Sequence, residues 1–340
     1  MKHQRSSETI LVTGGTGYIG SHMTVQLLDA GASVVIIDNL CNSKRKVIDR
    51  IEAITGKRPA FVAGDIRDRK VLQETFRNYP INAVIHFAGL KAVGESEAEP
   101  FKYFDNNVTG SIVLFEEMAR AGIRTLVFSS SATVYNNPGH AQYREDAPLA
   151  PINVYGRTKL MVEDILRELH RTQPEWRIAL LRYFNPVGAH ESGLIGEDPS
   201  GIPNNLMPFI AQVAIGRREK LMVFGNDYPT PDGTGLRDYI HVEDLAAGHL
   251  ATLRVLNEQG GIITVNLGTG RPSSVLEMVA AFEKASGKRI PYQVVARRAG
   301  DLAECYAEPA LAWEVLHWRA QHDIDRMCLD TWRWQTTNPS

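Results

Sequence analysis

The sequence has little cysteine, and its histidines do not have the spacing of metal ligands. The three cysteines, Cys41, Cys305 and Cys328, are far apart and odd in number, and there is no CxxC pair. This pattern argues against a disulfide framework and indicates a reducing compartment. The ten histidines include no HExxH motif or comparable ligand spacing, so we expect no metal site.

The chain also lacks an excess of either charge and a long apolar run. Its 37 basic and 39 acidic residues give a formal net charge of −2, which provides no electrostatic basis for nucleic-acid binding. No apolar stretch is long enough to span a bilayer, and the polar segment Met1–Glu8 lacks the apolar core of a signal peptide. We therefore expect a cytoplasmic protein without a nucleic-acid or membrane partner, and a disordered N-terminus over residues 1–8.

The first half of the sequence alternates apolar, β-branched runs with segments of helical periodicity. This alternation is typical of a parallel sheet covered on both faces by helices. The predicted strands are Ile10–Thr13, Val34–Asp38, Ala60–Gly64, Ala83–Phe87, Thr125–Ser129 and Ile178–Tyr183. The predicted helices are Ser21–Ala30, Asp68–Tyr79, Pro100–Ala121 and Val154–Arg171.

The pattern becomes less regular after about Phe184. The segment Asn185–Pro203 is rich in glycine, proline and asparagine, as a ligand-facing loop would be. We predict an α/β protein with a Rossmann-like, doubly wound parallel sheet in an NAD-binding domain over residues 9–184. Residues 185–340 are expected to form mainly a smaller, mixed α/β substrate-binding domain, with some segments returning to the first domain. Its predicted elements are helices at Leu206–Ile215, Asp244–Asn257 and Ser274–Ser286 and strands at Leu221–Phe224, Thr264–Leu267 and Tyr292–Ala296.

A glycine-rich turn after the first strand is typical of dinucleotide binding. Gly14, Gly17 and Gly20 are spaced as GxxGxxG between a predicted strand and helix, where a pyrophosphate can approach the backbone closely. Asp38 ends the next strand, and a carboxylate there accepts hydrogen bonds from ribose hydroxyls and repels a 2′-phosphate. These residues predict NAD rather than NADP. The alternative for Asp38 is an ordinary strand-end turn residue.

Tyr155 and Lys159 stand four residues apart on a predicted helix, so their side chains share one face. A tyrosine with a pKa of ~10 is a poor base at neutral pH. Two unit charges ~5 Å apart at an effective dielectric of ~20 interact by about 3 kcal/mol, enough to lower that pKa by roughly 2 units. The pattern therefore indicates either a tuned phenol near a nicotinamide or an ordinary solvated pair. Ser130 and Ser131 follow the strand Thr125–Ser129.

The strand-end serine and the YxxxK pair together resemble the catalytic set of the extended short-chain dehydrogenase/reductase superfamily. Longer segments resemble, more specifically, the UDP-galactose (UDP-glucose) 4-epimerase family, and they extend across nearly the whole chain. They are Gly14–His22, His86–Ser96, Leu181–His190, Gly201–Pro208 and Asp232–His241. The chain departs from the family pattern at Asn136, Thr158 and Ala299.

The resemblance implies reversible 4-epimerisation of UDP-galactose and UDP-glucose through a 4-keto sugar, with tightly bound NAD. In this reading Tyr155 takes the proton of the sugar 4-hydroxyl, Lys159 lowers the Tyr155 pKa, and Ser131 binds the 4-oxygen. The implied cofactor-binding residues are Gly14, Gly17, Tyr18, Ile19, Gly20, Asp38, Asn39, Asn42, Ser43, Asp65, Ile66, Phe87, Ala88, Gly89, Lys91, Asn106, Tyr155, Lys159 and Tyr183.

The resemblance also implies a site for the nucleotide sugar. Phe224 would lie near the uracil, Arg237 and Arg298 would bind the diphosphate, and Asp301 would hold a ribose hydroxyl. For each arginine taken alone, a surface ion pair is the alternative. The full implied set is Lys91, Ser131, Tyr155, Asn185, Asn205, Leu206, Phe224, Arg237, Arg298, Asp301 and Cys305.

Three other functions remain open at this point. A nucleotide-sugar 4,6-dehydratase shares the fold and the Tyr/Lys pair, but it uses an Asp-Glu pair directly after the catalytic hydroxyl, where this chain has Ala132 and Thr133. A dehydrogenase would need exchangeable cofactor, which the sequence does not decide. A non-catalytic NAD-binding protein predicts loss of the serine, tyrosine or lysine, and all three are present.

Cys305 bears on the range of sugars. It lies in the segment Arg297–Tyr306, which resembles the family's substrate-closing segment. One position there, beside the sugar C2 group, holds tyrosine in some members and a small residue in others. A thiol at that position leaves room for an N-acetyl group, so we predict that UDP-GlcNAc and UDP-GalNAc are also accepted. The alternatives are a buried structural thiol, or a register in which Tyr306 is the gate.

The helices Pro100–Ala121 and Val154–Arg171 carry apolar residues beyond a single stripe. These residues are Val113, Leu114, Phe115, Ile165 and Leu166. Members of the family pair through these helices as a four-helix bundle, so the resemblance implies a homodimer. The alternative is that these residues pack only on the sheet.

Overall fold

The computed structural model describes residues 8–135, 142–199, 201, 203, 205–298 and 301–338. The predicted disordered N-terminus, apart from Glu8, lies outside the described residues, as do Asn136 and Ala299. The chain divides into two compact units. The first comprises the described residues of Met1–Ser130, Asn153–Leu181 and His249–Thr264, and the second those of Ser131–Ile152, Arg182–Gly248 and Val265–Ser340.

Strands and helices alternate along the chain as the sequence predicts. The strands are β1 (Thr9–Thr13), β2 (Ser33–Asp38), β3 (Ala60–Ala63), β4 (Ala83–His86), β5 (Thr125–Ser131), β6 (Gln142–Tyr143), β7 (Arg177–Tyr183), β8 (Asn185–Val187), β9 (Leu221–Phe224), β10 (Leu236–His241), β11 (Ile262–Leu267), β12 (Pro272–Ser274), β13 (Tyr292–Val295) and β14 (Glu304–Ala307). The helices are α1 (Tyr18–Asp29), α2 (Lys46–Thr55), α3 (Arg69–Asn78), α4 (Val93–Ala98), α5 (Pro100–Tyr103), α6 (Gly110–Arg120), α7 (Val154–Thr172), α8 (Leu206–Ala214), α9 (Val242–Gln259), α10 (Val275–Ser286), α11 (Ala310–Leu316) and α12 (Ile324–Thr337).

A seven-stranded sheet has the order β11-β7-β5-β4-β1-β2-β3. From β3 to β5, neighbouring strands pair in parallel. Strands β1 and β4 are buried along their whole length, as expected for apolar runs with helices on both faces. Because β2 and β4 lie on opposite sides of β1, the strand order reverses there, which is where such folds bind ligands. The predicted Rossmann-like fold class is confirmed.

The core of the first unit lies between its sheet strands and its helices. Buried side chains such as Leu11, Leu126 and Ile178 from the strands cluster with Met118 and Val162 from α6 and α7. Burying each such side chain contributes roughly 1.5–3 kcal/mol. The apolar residues that suggested a dimer surface belong to this core or pack against it: Val113, Leu114, Phe115, Ile165 and Leu166. For these five residues the structure therefore shows the alternative, packing inside the unit, and other apolar residues of the two helices are exposed.

The large apolar side chains exposed on the described residues of these helices are Phe101, Ile112 and Met161, which are 86%, 37% and 37% exposed. The predicted single helix over Pro100–Ala121 is also wrong in one respect. A π-helical segment, Phe104–Thr109, separates α5 from α6. Such wide turns frequently occur at functional sites.

The second unit is built on smaller sheets. The strands β12, β10, β14 and β6 form one sheet, in which β8 also pairs with β10, and β13 pairs with β9. Helices α8, α10 and α12 contribute Met207, Phe282 and Cys328 to a common core. The division differs from the predicted boundary at residue 184, because β6 pairs with β14 and the described residues of 131–152 belong to this unit. Residues 249–264 group with the first unit, where the Ile178 N–H donates to the Gly261 carbonyl over 2.9 Å.

Candidate functional site

The glycine turn after β1 forms a cradle that side chains would fill. Gly14 has φ +69°, and a Cβ there would lie 2.9 Å from the Ala88 nitrogen. A Cβ on Gly20 would lie 2.3 Å from the Gly14 oxygen. Helix α1 begins at Tyr18 after Gly17, which has no side chain to cap the first turn. The first N–H groups of a helix have no intrahelical partner and favour an anion, so this turn fits a diphosphate.

Asp38 is buried at the end of β2 and organises the loop beyond it. Its carboxylate accepts hydrogen bonds from the Thr16 N–H (3.1 Å), the Leu40 N–H (2.8 Å) and the Ser43 hydroxyl (3.0 Å). Leu40 adopts φ +59°, a conformation that is uncommon outside glycine. The predicted ribose-binding carboxylate is therefore fixed next to the glycine turn through Thr16.

Asp65 follows β3 and belongs to the same edge of the sheet. Asn39 Nδ2 donates to its Oδ2 over 2.9 Å. Hydrogen bonds from Arg67 hold the pKa of the Asp65 carboxyl well below its usual range. Asn42 is exposed, whereas the side chain of Ile66 is buried in the core. Only the backbone of Ile66 is consistent with its predicted role as a cofactor ligand.

The segment Phe87–Lys91 follows β4 and meets the π-helical segment. The Leu90 N–H donates to Asn107 Oδ1 (2.8 Å), and Asn107 Nδ2 donates to the Leu90 carbonyl (3.0 Å). A Cβ on Gly89 would lie 3.3 Å from Asn107 Oδ1 and 3.8 Å from the Lys159 ammonium. Asn106, the predicted cofactor ligand, donates to Asn107 Oδ1. The predicted cofactor segment is thus fixed against the lysine of the YxxxK pair.

Asn107 was missed by the sequence analysis. It also donates to the Thr158 hydroxyl over 3.1 Å, and Thr158 in turn donates to the Tyr155 carbonyl over 2.7 Å. The departure from the family pattern at Thr158 is therefore a buried hydroxyl in a complete hydrogen-bond chain. The two adjacent asparagines at 106 and 107 were the available signal, because asparagine is a poor residue for a helix interior.

Lys159 is buried beneath the aromatic ring of Tyr155. Its ammonium lies 5.9 Å from the Tyr155 ring centroid and 5.0 Å from the Phe128 ring centroid, and it donates to the Ser129 carbonyl over 2.7 Å. Burial lowers the pKa of Lys159 to about 8. The structure therefore brings Tyr155 and Lys159 together, with the phenol half-buried and the ammonium inside.

The two serines at the end of β5 have different partners. Ser130 Oγ donates to Glu163 Oε1 over 2.5 Å in the interior of the first unit. Ser131 Oγ, in the second unit, accepts from the Thr133 N–H (3.2 Å) and hydroxyl (3.0 Å). The Ser130 hydroxyl is therefore used in a bond to a buried carboxylate. The Ser131 hydroxyl accepts hydrogen bonds from Thr133 and bonds no carboxylate in the described part of the chain.

In the second unit, β10 and β14 bring three predicted substrate residues together. Arg237 and Cys305 are direct register partners in these parallel strands. Arg237 Nη2 lies 3.3 Å from Asp301 Oδ1. Burial raises the pKa of the Cys305 thiol to about 11, so it remains a neutral, small side chain at physiological pH. Tyr306 pairs with Gln142 on β6 and, one residue on, points to the opposite face from Cys305.

A second cluster in this unit contains Phe224 and Arg298. The Arg298 guanidinium lies 3.9 Å from the Phe224 ring centroid, a cation–π contact. Asn205 occupies the N-cap position of α8, but its side chain makes no capping hydrogen bond; its Nδ2 donates to Glu197 Oε1 over 2.9 Å. Leu206 is the first residue of that helix. The remaining predicted residues of this unit are Tyr183, which is buried, and Asn185, which is exposed on β8.

Among the described residues, one group has donor atoms close enough to suggest a metal: His241, Glu243 and Asp330 lie within 4.8 Å of one another. His241 Nδ1 accepts from the Glu243 N–H (3.1 Å), and its Nε2 donates to Asp330 Oδ2 (3.3 Å). Arg326 and Arg333 also donate to Asp330. Both imidazole nitrogens of His241 thus have hydrogen-bond partners, whereas an imidazole ligand needs a free lone pair. No helix in the described part of the chain has the length and apolar character needed to cross a membrane.

Comparison with known proteins identifies the family of the chain. The model of the NAD dependent epimerase/dehydratase family matches residues 10–268. The UDP-glucose 4-epimerase of Neisseria meningitidis serogroup A is 58% identical over 98% of both chains. That of Bacillus subtilis is 57% identical over 97% of both.

Solved structures of related enzymes match the chain over almost its whole length. The UDP-glucose 4-epimerase of Stenotrophomonas maltophila, solved with bound NAD and formylated UDP-arabinopyranose, has a TM-score of 0.95 and 53% identity, covering 97% of this chain and 98% of that one. The Bifidobacterium longum enzyme, in complex with NAD⁺ and UDP, has a TM-score of 0.94 and 49% identity, covering 97% and 99%. The chain belongs to the NAD dependent epimerase/dehydratase family.

Proposed function

We propose that this protein is a UDP-glucose 4-epimerase that interconverts UDP-galactose and UDP-glucose with tightly bound NAD. Relatives that carry this name match it over almost their whole length, with 55–58% identity. The observation that carries the proposal is the pair formed by Tyr155 and the buried Lys159, 5.9 Å from ring to ammonium. This pair supplies a base that can act on a sugar hydroxyl near neutral pH.

The cofactor site of the proposal lies along the carboxyl ends of β1, β2 and β4. The uncapped first turn of α1 would hold the diphosphate, Asp38 the adenosine ribose, and Lys159 the nicotinamide ribose. We assign the other predicted cofactor residues to the same proposed site. When bound there, NAD⁺ would supply a reversible hydride acceptor for the sugar carbon.

Each catalytic side chain has a separate role in the proposed reaction. Tyr155, as phenolate, takes the proton of the 4-hydroxyl when carbon 4 is oxidised, and gives it back when the ketone is reduced on its other face. The Lys159 cation favours the phenolate. Ser131 binds the 4-oxygen. The positions where a dehydratase needs carboxylates hold Ala132 and Thr133, and Thr133 donates to Ser131, which favours epimerisation over dehydration.

The nucleotide sugar would be held by the second unit. Arg237 and Arg298 suit the diphosphate, because a guanidinium pairs with two phosphate oxygens. Phe224 would contact the uracil, and Asp301 a ribose hydroxyl. In this structure Arg237 faces Asp301 and Arg298 covers Phe224, so the proposal requires both arginines to exchange or share these partners when the substrate binds.

The direct test is incubation of the purified protein with UDP-galactose in the absence of added NAD, with chromatographic separation of the products. Formation of UDP-glucose supports the proposal. Accumulation of NADH only when NAD is added would indicate a dehydrogenase, and loss of water from the sugar a dehydratase. Absence of any turnover, with NAD bound, would favour a non-catalytic binding protein.

We further propose that the N-acetylated sugars UDP-GlcNAc and UDP-GalNAc are substrates. Cys305 shares a register position with Arg237, and Tyr306 points the other way, which supports Cys305 as the residue beside the sugar. Cys305→Tyr should abolish turnover of UDP-GlcNAc and spare UDP-galactose, while the matched variant Cys305→Ala should retain both. Equal loss of both activities in Cys305→Tyr would contradict this extension.

A further inference from the structure

The first turn of α7, which carries Tyr155, is held by two side chains from α4. The N–H groups at the start of a helix have no partner inside it. Here the Val154 N–H donates to Glu97 Oε1 (2.8 Å) and the Tyr155 N–H to Ser96 Oγ (3.2 Å). Only the Gly156 N–H is capped locally, by Asn153 Oδ1 at 2.7 Å. Two of the three caps therefore come from residues 57 and 59 positions earlier in the chain.

Helix α4 is itself fixed from the other side. Ser96 is fully buried, and its hydroxyl donates to the Val93 carbonyl over 2.6 Å. The Tyr103 hydroxyl accepts from the Ala92 N–H (3.0 Å), and Glu95 Oε2 lies 2.8 Å from the same hydroxyl. Helix α4 also begins two residues after Phe87–Lys91, the segment that the proposed function places beside the cofactor. Residues 87–103 thus join that segment to the turn of the phenol.

We propose that Ser96 and Glu97 are positioning residues for Tyr155, an inference that rests on the proposed function. A helix of this length could be capped by its own N-terminal residues. Here two of the three caps come from α4 instead. They fix the first turn of α7 relative to α4, which directly follows the proposed cofactor segment Phe87–Lys91. Such a link matters for chemistry, because a displacement of about 1 Å in a reacting group can cost roughly a hundredfold in rate.

A purely structural role for the two residues predicts a different result. Loss of a buried cap lowers stability whether or not the capped turn carries a catalytic group. Thr75 provides the comparison: it is a buried hydroxyl in α3 of the same unit, and it donates only to the Val71 carbonyl over 2.7 Å. Thr75→Val should lower the melting temperature and leave kcat for UDP-galactose within about twofold of wild type.

The test compares kcat and KM for UDP-galactose in wild type, Ser96→Ala, Ser96→Thr, Glu97→Ala, Glu97→Gln and Thr75→Val. For Ser96→Ala we expect kcat to fall about tenfold with KM changed by less than about twofold, since the phenol is misplaced but the second unit is untouched. Ser96→Thr keeps the hydroxyl and should therefore retain kcat within about threefold of wild type. Glu97→Gln retains an acceptor and should resemble wild type, whereas Glu97→Ala should lose several-fold in kcat.

Hydrogen exchange provides a readout that does not depend on turnover. Ser96→Ala should accelerate exchange of the Tyr155 amide relative to amides later in α7, and Thr75→Val should not. If Ser96→Ala does not fold, the Glu97→Ala and Glu97→Gln pair, with exchange at the Val154 amide, decides the question. Unchanged kcat and unchanged first-turn exchange in folded variants would overturn the inference. A wild type that lacks epimerase activity but shows the exchange effect would overturn the proposed function and leave the positioning geometry standing.

Discussion

The Lys159 ammonium donates to the Ser129 carbonyl over 2.7 Å, which joins the second turn of α7 to the last part of β5. The Glu163 carboxylate, one helical turn further on, accepts from Ser130 on the same strand. The helix of the proposed base is thus fixed to the sheet by two adjacent strand residues. The cation lies inside the protein, and its environment decides both the proposed chemistry and the pH dependence of stability.

Lys159→Met should alter how stability varies with pH. The pKa of Lys159 is about 8 in the folded protein against 10.5 for the free side chain, so between these values the unfolded state binds more protons. Wild-type stability relative to the variant should therefore rise with pH across this window, by up to about 3 kcal/mol. This gain in wild-type stability is lost again as the pH falls from about 10.5 to about 8. Urea unfolding of both proteins across this range measures it.

Lys284→Met is the control for this prediction. Hydrogen bonding to Asp325 raises the pKa of Lys284, so any stability that this group contributes is present at lower pH and lost as the pH rises. The control should therefore show no rise with pH. A flat difference between wild type and Lys159→Met would mean that the buried amine is as easily protonated as a solvated one.

Gly20→Ala should remove the proposed cofactor site. A Cβ at this position would lie 2.3 Å from the Gly14 oxygen, so the turn and the first turn of α1 must move apart. We expect NAD affinity to fall by at least about tenfold, as measured by calorimetry on the stripped protein. Gly94→Ala is a matched control, because a Cβ there meets no atom within 4 Å. Equal NAD affinity in the two variants would contradict the assignment of this turn.

Asp238→Asn should destabilise the second unit. The buried carboxylate of Asp238 accepts from Thr269 Oγ1 (2.7 Å), the Gly270 N–H (2.9 Å) and the Ala307 N–H (3.1 Å). An asparagine presents an NH₂ group to some of these donors and leaves them without an acceptor. We expect a loss of roughly 2–4 kcal/mol in the free energy of unfolding. The exposed Asp325→Asn should change it by less than about 1 kcal/mol; similar values for both variants would show that the buried acceptor is dispensable.

Phe101→Glu combined with Ile112→Glu tests the homodimer that the family resemblance implies. These side chains lie on the exposed side of the helices that the family resemblance implicates, and a carboxylate in an apolar interface is costly. Light scattering should show a dimer for wild type and a monomer for the double variant. Trp313→Glu, an exposed aromatic in the second unit, should leave the mass unchanged. A wild-type monomer, or a double variant that stays dimeric, would contradict the proposal.

The parallel sheet could be predicted from the sequence because its central strands are short, apolar, β-branched runs separated by helical segments. These strands are β1, β2, β4, β5 and β7. The sequence did not predict α4, whose sequence VGESEA is short and polar and is stabilised by contacts that lie outside it. The only sequence feature that pointed to the π-helical segment was the pair of adjacent asparagines at 106 and 107. The pairing of β6 with β14 joins residues more than 160 positions apart, and no local pattern encodes such a contact.

The site follows the same division. Gly14, Asp38, Tyr155 and Lys159 were recognisable because their spacing reflects local geometry on a turn, a strand end and a helix. The partners that fix them, such as Asn107 and Ser96, come from other elements, so they become visible only when the chain is folded. Periodicity alone also did not show which apolar residues of the two helices face the core, and Val113 and Leu114 belong to it.

The π-helical segment Phe104–Thr109 places more residues in its turn than an α-helix would. Deleting one residue from it would leave the helix continuous but would rotate α5 by about 100° relative to α6. Phe101 would then leave its present side of the first unit. The wide turn therefore sets the direction in which this phenylalanine faces, and with it the surface that the Phe101→Glu variant alters.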